Sequence, residues 1–197
     1  IEHSIEINKD VKVENPPADG FDSIILAGMG GSGHPGDLLN ALGLTTIPLY
    51  VHRNYDLPLD YISHMGFKNP LVLTSSYSGN TEEALTAYKL AQRKNIPTLA
   101  SAAGGKLQEW ATRDSVPFCL IDYQGMQPRH TLFAAFTGIA TALKNSNLAD
   151  DITDELHRVA KVLSKKTVAL EEPGKALAEK IKGKVPVFNS SDNLGFA

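Results

Sequence analysis

The sequence predicts an α/β protein: five parallel strands in one sheet, with helices packed on both faces. Three observations carry this. Short apolar runs alternate with segments of helical periodicity. The spacing between runs leaves room for a right-handed crossover each time. The two loops richest in glycine and small hydroxyl residues each follow directly on an apolar run. Ligand loops of open α/β sheets occupy that place.

The strand candidates are residues 23–28 (SIILAG), 47–52 (IPLYVH), 70–76 (PLVLTSS), 97–102 (PTLASA) and 117–122 (PFCLID). Helices are expected over residues 33–42, 81–93 and 105–112. In the second of these, Ala84, Leu85, Tyr88 and Ala91 form one apolar stripe. Residues 131–144 (TLFAAFTGIATALK) are rich in small and apolar side chains, which suits a buried helix or one at an interface. Residues 151–165 place Ile152, Leu156, Val159 and Leu163 on one side and predict an amphipathic helix. The segment EEPGKALAEKIKGK reads as a further helix, opened by Pro173 and closed near Gly183, before a strand VPVFN. The expected organisation is a domain over residues 1–145, linking helices over 146–184, and over 185–197 the first strand of a second, truncated domain. The tail VPVFNSSDNLG echoes DSIILAGMGGSG, and the chain starts at Ile1 rather than Met. Both suggest a piece of a longer protein.

Composition narrows the function classes. The chain is 42% hydrophobic and 21% charged with a net charge of -3, and no block of like charges offers a basic face to nucleic acid. No apolar run approaches the roughly 20 residues that span a bilayer, and no signal peptide opens the chain. The single cysteine, Cys119, lies in an apolar run and reads as a small buried hydrophobe; it fits a reducing, cytoplasmic compartment.

Gly28-Met29-Gly30-Gly31-Ser32-Gly33 satisfies the pattern G-x-G-x-x-G. Without Cβ atoms the backbone turns sharply and gathers N–H groups around an anion, and the following helix adds its positive end. That chemistry serves any phosphate. A dinucleotide would want an acid at the end of the second strand, where this chain has His52-Arg53-Asn54; the nearest acid, Asp56, lies in the next loop. Arg53 could suit a 2′-phosphate. The second loop, TSSYSGNTEE, points elsewhere. It places Ser75, Ser76, Ser78, Asn80 and Thr81 around Gly79 where a strand enters a helix. Such donors suit one compact phosphate monoester. Helix capping by Ser78 or Asn80, with Glu82 and Glu83 in the first turn, would account for one or two of the five but not all.

GMGGSG, the following Gly36-Asp37, RNYDLP, SYSGNTEE and Gln127-Pro128-Arg129 together resemble the bifunctional phosphoglucose/phosphomannose isomerases, which are built of two sugar isomerase (SIS) domains with flavodoxin-like sheets. The resemblance covers nearly the whole chain, which is similar to the family's N-terminal SIS domain. It implies that Ser32, with the backbone of Gly31, contacts the sugar phosphate and that Ser76, Ser78 and Thr81 hold the phosphate oxygens. It implies that Arg129 faces the reacting carbons and stabilises an enediolate. His34 stands where a small or aliphatic residue is expected; it and His130 read as loop histidines. The implied reaction interconverts glucose 6-phosphate or mannose 6-phosphate with fructose 6-phosphate, without metal or redox cofactor, in a homodimer. The family's glutamate base, its ring-opening histidine and a late lysine lie in the second SIS domain, so Glu82, Glu83 and His130 are not given those roles. The alternative is a phosphosugar-binding regulatory module. A single-domain SIS enzyme acting on another sugar phosphate is a weaker third reading.

Overall fold

The computed structural model describes residues 1–14, 16–122, 125–187 and 189. Five strands, β1 (Ser23–Ala27), β2 (Leu49–His52), β3 (Pro70–Ser76), β4 (Thr98–Ala102) and β5 (Phe118–Leu120), form one sheet in the order β2-β1-β3-β4-β5. Every pairing is parallel. The helices are α1 (Glu2–Asn8), α2 (His34–Ala41), α3 (Leu59–His64), α4 (Glu82–Arg93), α5 (Gly105–Arg113), α6 (Leu132–Asn145) and α7 (Thr153–Ile181). Short 3-10 turns cover Gly30–Gly33 and Pro128–His130.

The apolar runs become strands buried on both faces, as crossover helices demand of a parallel sheet. Alternate residues divide between the faces. Ile24, Leu26, Leu71, Leu73 and Leu99 pack with Leu39 of α2 and with Phe136, Ile139 and Leu143 of α6. Ile25, Ala27 and Val72 pack with Ile62 of α3 and Ala87 and Ala91 of α4. All four residues of the expected α4 stripe are buried. Gly36 permits α2 to lie close on the sheet: a Cβ there would stand 2.8 Å from Val51 Cγ2 and 2.9 Å from Leu26 Cδ1. Residues 131–144 form a largely buried helix, as expected: α6 packs on α1, α2 and β5 and buries Phe136, Ile139 and Leu143, while Phe133 is exposed.

Two helices go beyond the sequence reading. α3 fills the crossover between β2 and β3. α1 closes the exposed edge of β5 through one side chain. Asn8, fully buried, donates to Leu120 O at 3.1 Å and accepts from Leu120 N–H at 2.9 Å, as a sixth strand would. Gly138 of α6 makes room for it, since a Cβ there would lie 2.9 Å from Asn8 Nδ2.

The two helices expected between residues 151 and 183 are instead one, α7, with Pro173 inside it. An interior proline forfeits one helical hydrogen bond, and the freed carbonyl on this exposed helix can turn to water. The expected stripe is also only half used: Leu156 is buried, whereas Val159 is 40% and Leu163 41% exposed. The expected strand VPVFN begins at Val185; residues 185–187 carry no regular structure, and most of residues 188–197 lie outside the described residues.

Asp22 ties the start of β1 to the start of β3. Its Oδ2 accepts the N–H groups of Lys68 and Asn69 at 2.6 and 3.0 Å, and its Oδ1 accepts the Ser23 hydroxyl at 3.1 Å. Partial burial pushes its pKa up, but the two backbone donors and Ser23 outweigh that and hold it below the ordinary value. A depressed folded-state pKa means stability that is present above the unfolded value, about 4, and lost as pH falls through the folded one. Asp22→Asn is expected to lower unfolding free energy by about 1–2 kcal/mol at pH 7. Urea titrations should show that gap shrinking as pH falls below about 4.

Candidate functional site

The strand order reverses between β1 and β3, so the loops leaving these neighbours diverge to opposite faces and open a crevice at the carboxyl end of the sheet. Both candidate loops lie there. Gly28 ends β1 against the second loop: a Cβ on it would be 2.7 Å from Ser32 O and 3.0 Å from Ser75 O. The chain then turns through Gly30–Gly33 into α2, with Ser32 N–H donating to Met29 O at 2.9 Å. The Ser32 hydroxyl accepts the N–H of Tyr77 at 3.2 Å and fastens the first loop to the second.

In the second loop Ser76 is buried, and its hydroxyl lies 2.9 Å from that of Thr81. Thr81 is the N-cap residue of α4 but makes no side-chain bond to the helix. Ser78 is exposed; its hydroxyl accepts the N–H of Asn80 at 3.2 Å. Capping therefore does not account for these hydroxyls, and the first turn of α4 keeps its backbone donors free of side-chain caps. The loop after β4 supports this arrangement. Leu107 N–H donates to Gly79 O, and Ala103 N–H to Tyr77 O, each at 2.9 Å. Gly79 has φ +67°, and a Cβ on it would stand 1.7 Å from Gly104 O.

Beside the Ser32–Tyr77 junction lies a cavity of about 460 Å³. Met29, Gly31, Ser32, His34, Ser75 and Tyr77 form one side. Ile121, Pro128, Arg129, Thr131, Leu132 and Ala135 form the other. Of the expected site residues, the structure brings Gly31, Ser32 and Arg129 into this cavity. Ser76, Ser78 and Thr81 sit next to it but do not line it. For Ser76 the reason is the strand period: Ser75 turns to the α6 face and Ser76 to the α4 face, while Ser78 and Thr81 follow in the turn and at the N-cap of α4.

Arg129 is exposed on the 3-10 turn before α6, and its guanidinium donates to Gln127 Oε1. Among the described residues it has no carboxylate partner, so the ordinary surface ion pair does not explain it. Its turn is held by Thr131 Oγ1 donating to Pro128 O at 2.8 Å and by the Tyr77 hydroxyl donating to Met126 O at 3.0 Å. Among the described residues no carboxylate lines the cavity. Arg53, the possible partner for a 2′-phosphate, is instead paired with Asp37, which also lies 3.2 Å from His34 Nδ1. The Cys119 thiol sits under α6, 3.5 Å from Gly138 O, and burial pushes its pKa up to about 12.

Sequence reasoning passed over Tyr77, whose N–H and hydroxyl join three loops. A tyrosine between two serines carries no sequence signal for that role. In the sequence Ser75 is one small polar residue among five.

No protein-family model matches the chain. It is 37% identical over 166 residues to the bifunctional phosphoglucose/phosphomannose isomerase of Caldicellulosiruptor bescii, covering 83% of this chain and 47% of that protein. It is 30% identical over 200 residues to the D-glucosamine-6-phosphate 4-epimerase of Sulfolobus acidocaldarius, covering 97% of this chain and 58% of that protein. The chain spans about half the length of these curated relatives. Its fold is similar to that of a Clostridium difficile protein assigned to the phosphosugar isomerases, with TM-score 0.59 at 17% identity over 92% of this chain and 52% of that one.

Gly79→Ala combines a left-handed backbone with a clash against Gly104 O. It is expected to lower stability by about 2–4 kcal/mol, read as a shifted urea midpoint.

Proposed function

Because the chain belongs to the bifunctional phosphoglucose/phosphomannose isomerase family and resembles its N-terminal SIS domain, we propose that it binds a hexose 6-phosphate in the β1/β3 crevice and contributes the phosphate site and an arginine to an aldose–ketose isomerisation. The carrying observation is the second loop: Ser76 and Thr81 hydroxyls in contact, Ser78 exposed beside them, and an α4 N-terminus without a side-chain cap. Hydroxyls and backbone N–H groups at a helix start suit a compact dianion, which the positive end of the helix further stabilises.

With the phosphate held by Ser76, Ser78 and Thr81, and Ser32 and Gly31 contacting it from the first loop, the sugar extends into the cavity towards Arg129. In the proposed reaction a base takes the proton from C2 of the open-chain aldose. The electron pair forms a cis-enediolate, and the proton returns to C1 to give the ketose. Arg129 would stabilise the negative charge on the enediolate oxygens, a donor role typically worth ~3–4 kcal/mol. The chemistry also needs a positioned carboxylate, and none lines the cavity among the described residues. We therefore propose that the base comes from the second half of a longer protein, that glucose 6-phosphate or mannose 6-phosphate exchanges with fructose 6-phosphate there, and that the present 197 residues bind without turnover. The enzyme is proposed to act in the cytoplasm as a homodimer; among the described residues no helix is long and apolar enough to cross a membrane.

That no carboxylate lines the cavity among the described residues also favours a second reading, a phosphosugar-binding regulatory module. The relative named for glucosamine 6-phosphate suggests a third sugar. All share the phosphate assignment and differ in what the cavity does with the sugar.

Calorimetry on this chain with fructose 6-phosphate tests the shared part. Ser78→Ala combined with Thr81→Ala is expected to weaken binding at least tenfold with the fold intact, because two hydrogen bonds to a charged group are lost. Unchanged affinity would count against the assignment. Arg129→Ala should shift affinity by less than about threefold, as a group facing the reacting carbons stabilises mainly the transition state. A coupled assay with glucose 6-phosphate and mannose 6-phosphate should show no turnover by this chain.

A further inference from the structure

Ser75 has no part in the reading above. It is the penultimate residue of β3 and only 1% exposed, it lines the cavity, and its hydroxyl has no hydrogen-bond partner among the described residues. Buried hydroxyls are normally paired, and an unpaired one costs stability. Packing alone does not require it. The contact of Ser75 with Gly28 is made by its backbone carbonyl, which alanine would present equally, without the penalty. Ser75 shares its face of β3 with Leu71 and Leu73, which pack beneath α6, and the cavity opens on that face between the first loop and Thr131, Leu132 and Ala135. The hydroxyl is buried at this side of the cavity, and a group seated there could supply the partner it lacks.

We propose that Ser75 is a sugar-binding residue: its hydroxyl hydrogen-bonds a hydroxyl of the carbon chain of the bound hexose 6-phosphate. Its neighbour Ser76, on the opposite face of the strand, serves the phosphate. The inference rests on the proposed hexose 6-phosphate site and adds to it a division of labour between adjacent residues. Ser101 is the natural control. It is the register partner of Ser75 on β4, equally buried and unpartnered, yet it does not line the cavity.

The test is calorimetry with fructose 6-phosphate and, separately, inorganic phosphate, on the wild-type chain, Ser75→Ala and Ser101→Ala, with thermal midpoints for all three. Ser75→Ala should weaken fructose 6-phosphate binding about 5–20-fold. It should leave inorganic phosphate affinity within about twofold, and the midpoint equal or higher. Ser101→Ala should leave both affinities within about twofold. Wild-type binding with Ser75→Ala unchanged would overturn this proposal alone, as would a lowered midpoint with unchanged affinity, which marks an internally satisfied hydroxyl. Equal weakening of both ligands would move Ser75 to the phosphate site and overturn it too. Failure of the wild-type chain to bind fructose 6-phosphate would overturn the underlying reading and this proposal with it.

Discussion

The constraint on which the site depends is the contact between the loops leaving β1 and β3. A Cβ on Gly28 would overlap Ser32 O and crowd Ser75 O, and the Ser32 hydroxyl receives the Tyr77 N–H. Two backbones can approach this closely only where the side chain is a hydrogen atom. The approach occurs where the strand order reverses, so the loops meet once and then part towards opposite faces. The crevice, the cavity beside it and the free start of α4 all follow from that meeting and parting. Gly79 against Gly104 repeats the device one strand further on, and the β4 loop thereby supports the β3 loop from behind.

The strand period then distributes chemistry between the two faces. Thr74, Ser75 and Ser76 follow one another on β3, and all are buried. Ser76 finds Thr81, while Thr74 and Ser75 find no partner among the described residues. A run of hydroxyls in the centre of a sheet weakens the core relative to the valine and leucine that precede it. Such polar content is retained more readily at the carboxyl end of strands, where a ligand can supply the missing bonds, than at their middle. The upstream residues Leu71, Val72 and Leu73, buried in the middle of the same strand, are wholly apolar.

Much of this was legible in the sequence. The five strands, their parallel arrangement and α2, α4, α5 and α6 follow from apolar runs and periodicity, because a sheet covered on both faces leaves an uninterrupted apolar signature. The two loops were legible because glycines and small hydroxyl residues are costly elsewhere. What escaped depends on pairs distant in the chain. The lock of α1 onto β5 needs Asn8, Leu120 and Gly138 together, and an isolated asparagine near the start of a chain announces nothing. Tyr77 is similar: its use follows from where Ser32 and Met126 happen to lie. The break assigned to Pro173 failed for another reason. Pro173 limits a helix through one lost bond and a local clash, and the strong helix formers on both sides of it carry α7 through. The single-helix outcome leaves Leu163, Leu170 and Leu177 exposed on it.

The placement of Arg129 shows how remote contacts reach the site. Asn8 fixes Leu120 from the edge, Ile121 N–H bonds Ala102 O at 2.9 Å, and α6 begins with Thr131 bound back to Pro128. Between these anchors the Tyr77 hydroxyl holds Met126. The guanidinium is thus delivered to the mouth of a largely apolar cavity whose lining bears no carboxylate among the described residues. An arginine so placed attracts an anion and can stabilise charge that develops on one. It cannot take a proton from carbon, because a guanidinium is a donor with no acceptor site. Under the proposed function, a lining with a cation and hydroxyls and, among the described residues, no carboxylate serves binding and charge stabilisation, and proton abstraction falls to a carboxylate outside this cavity.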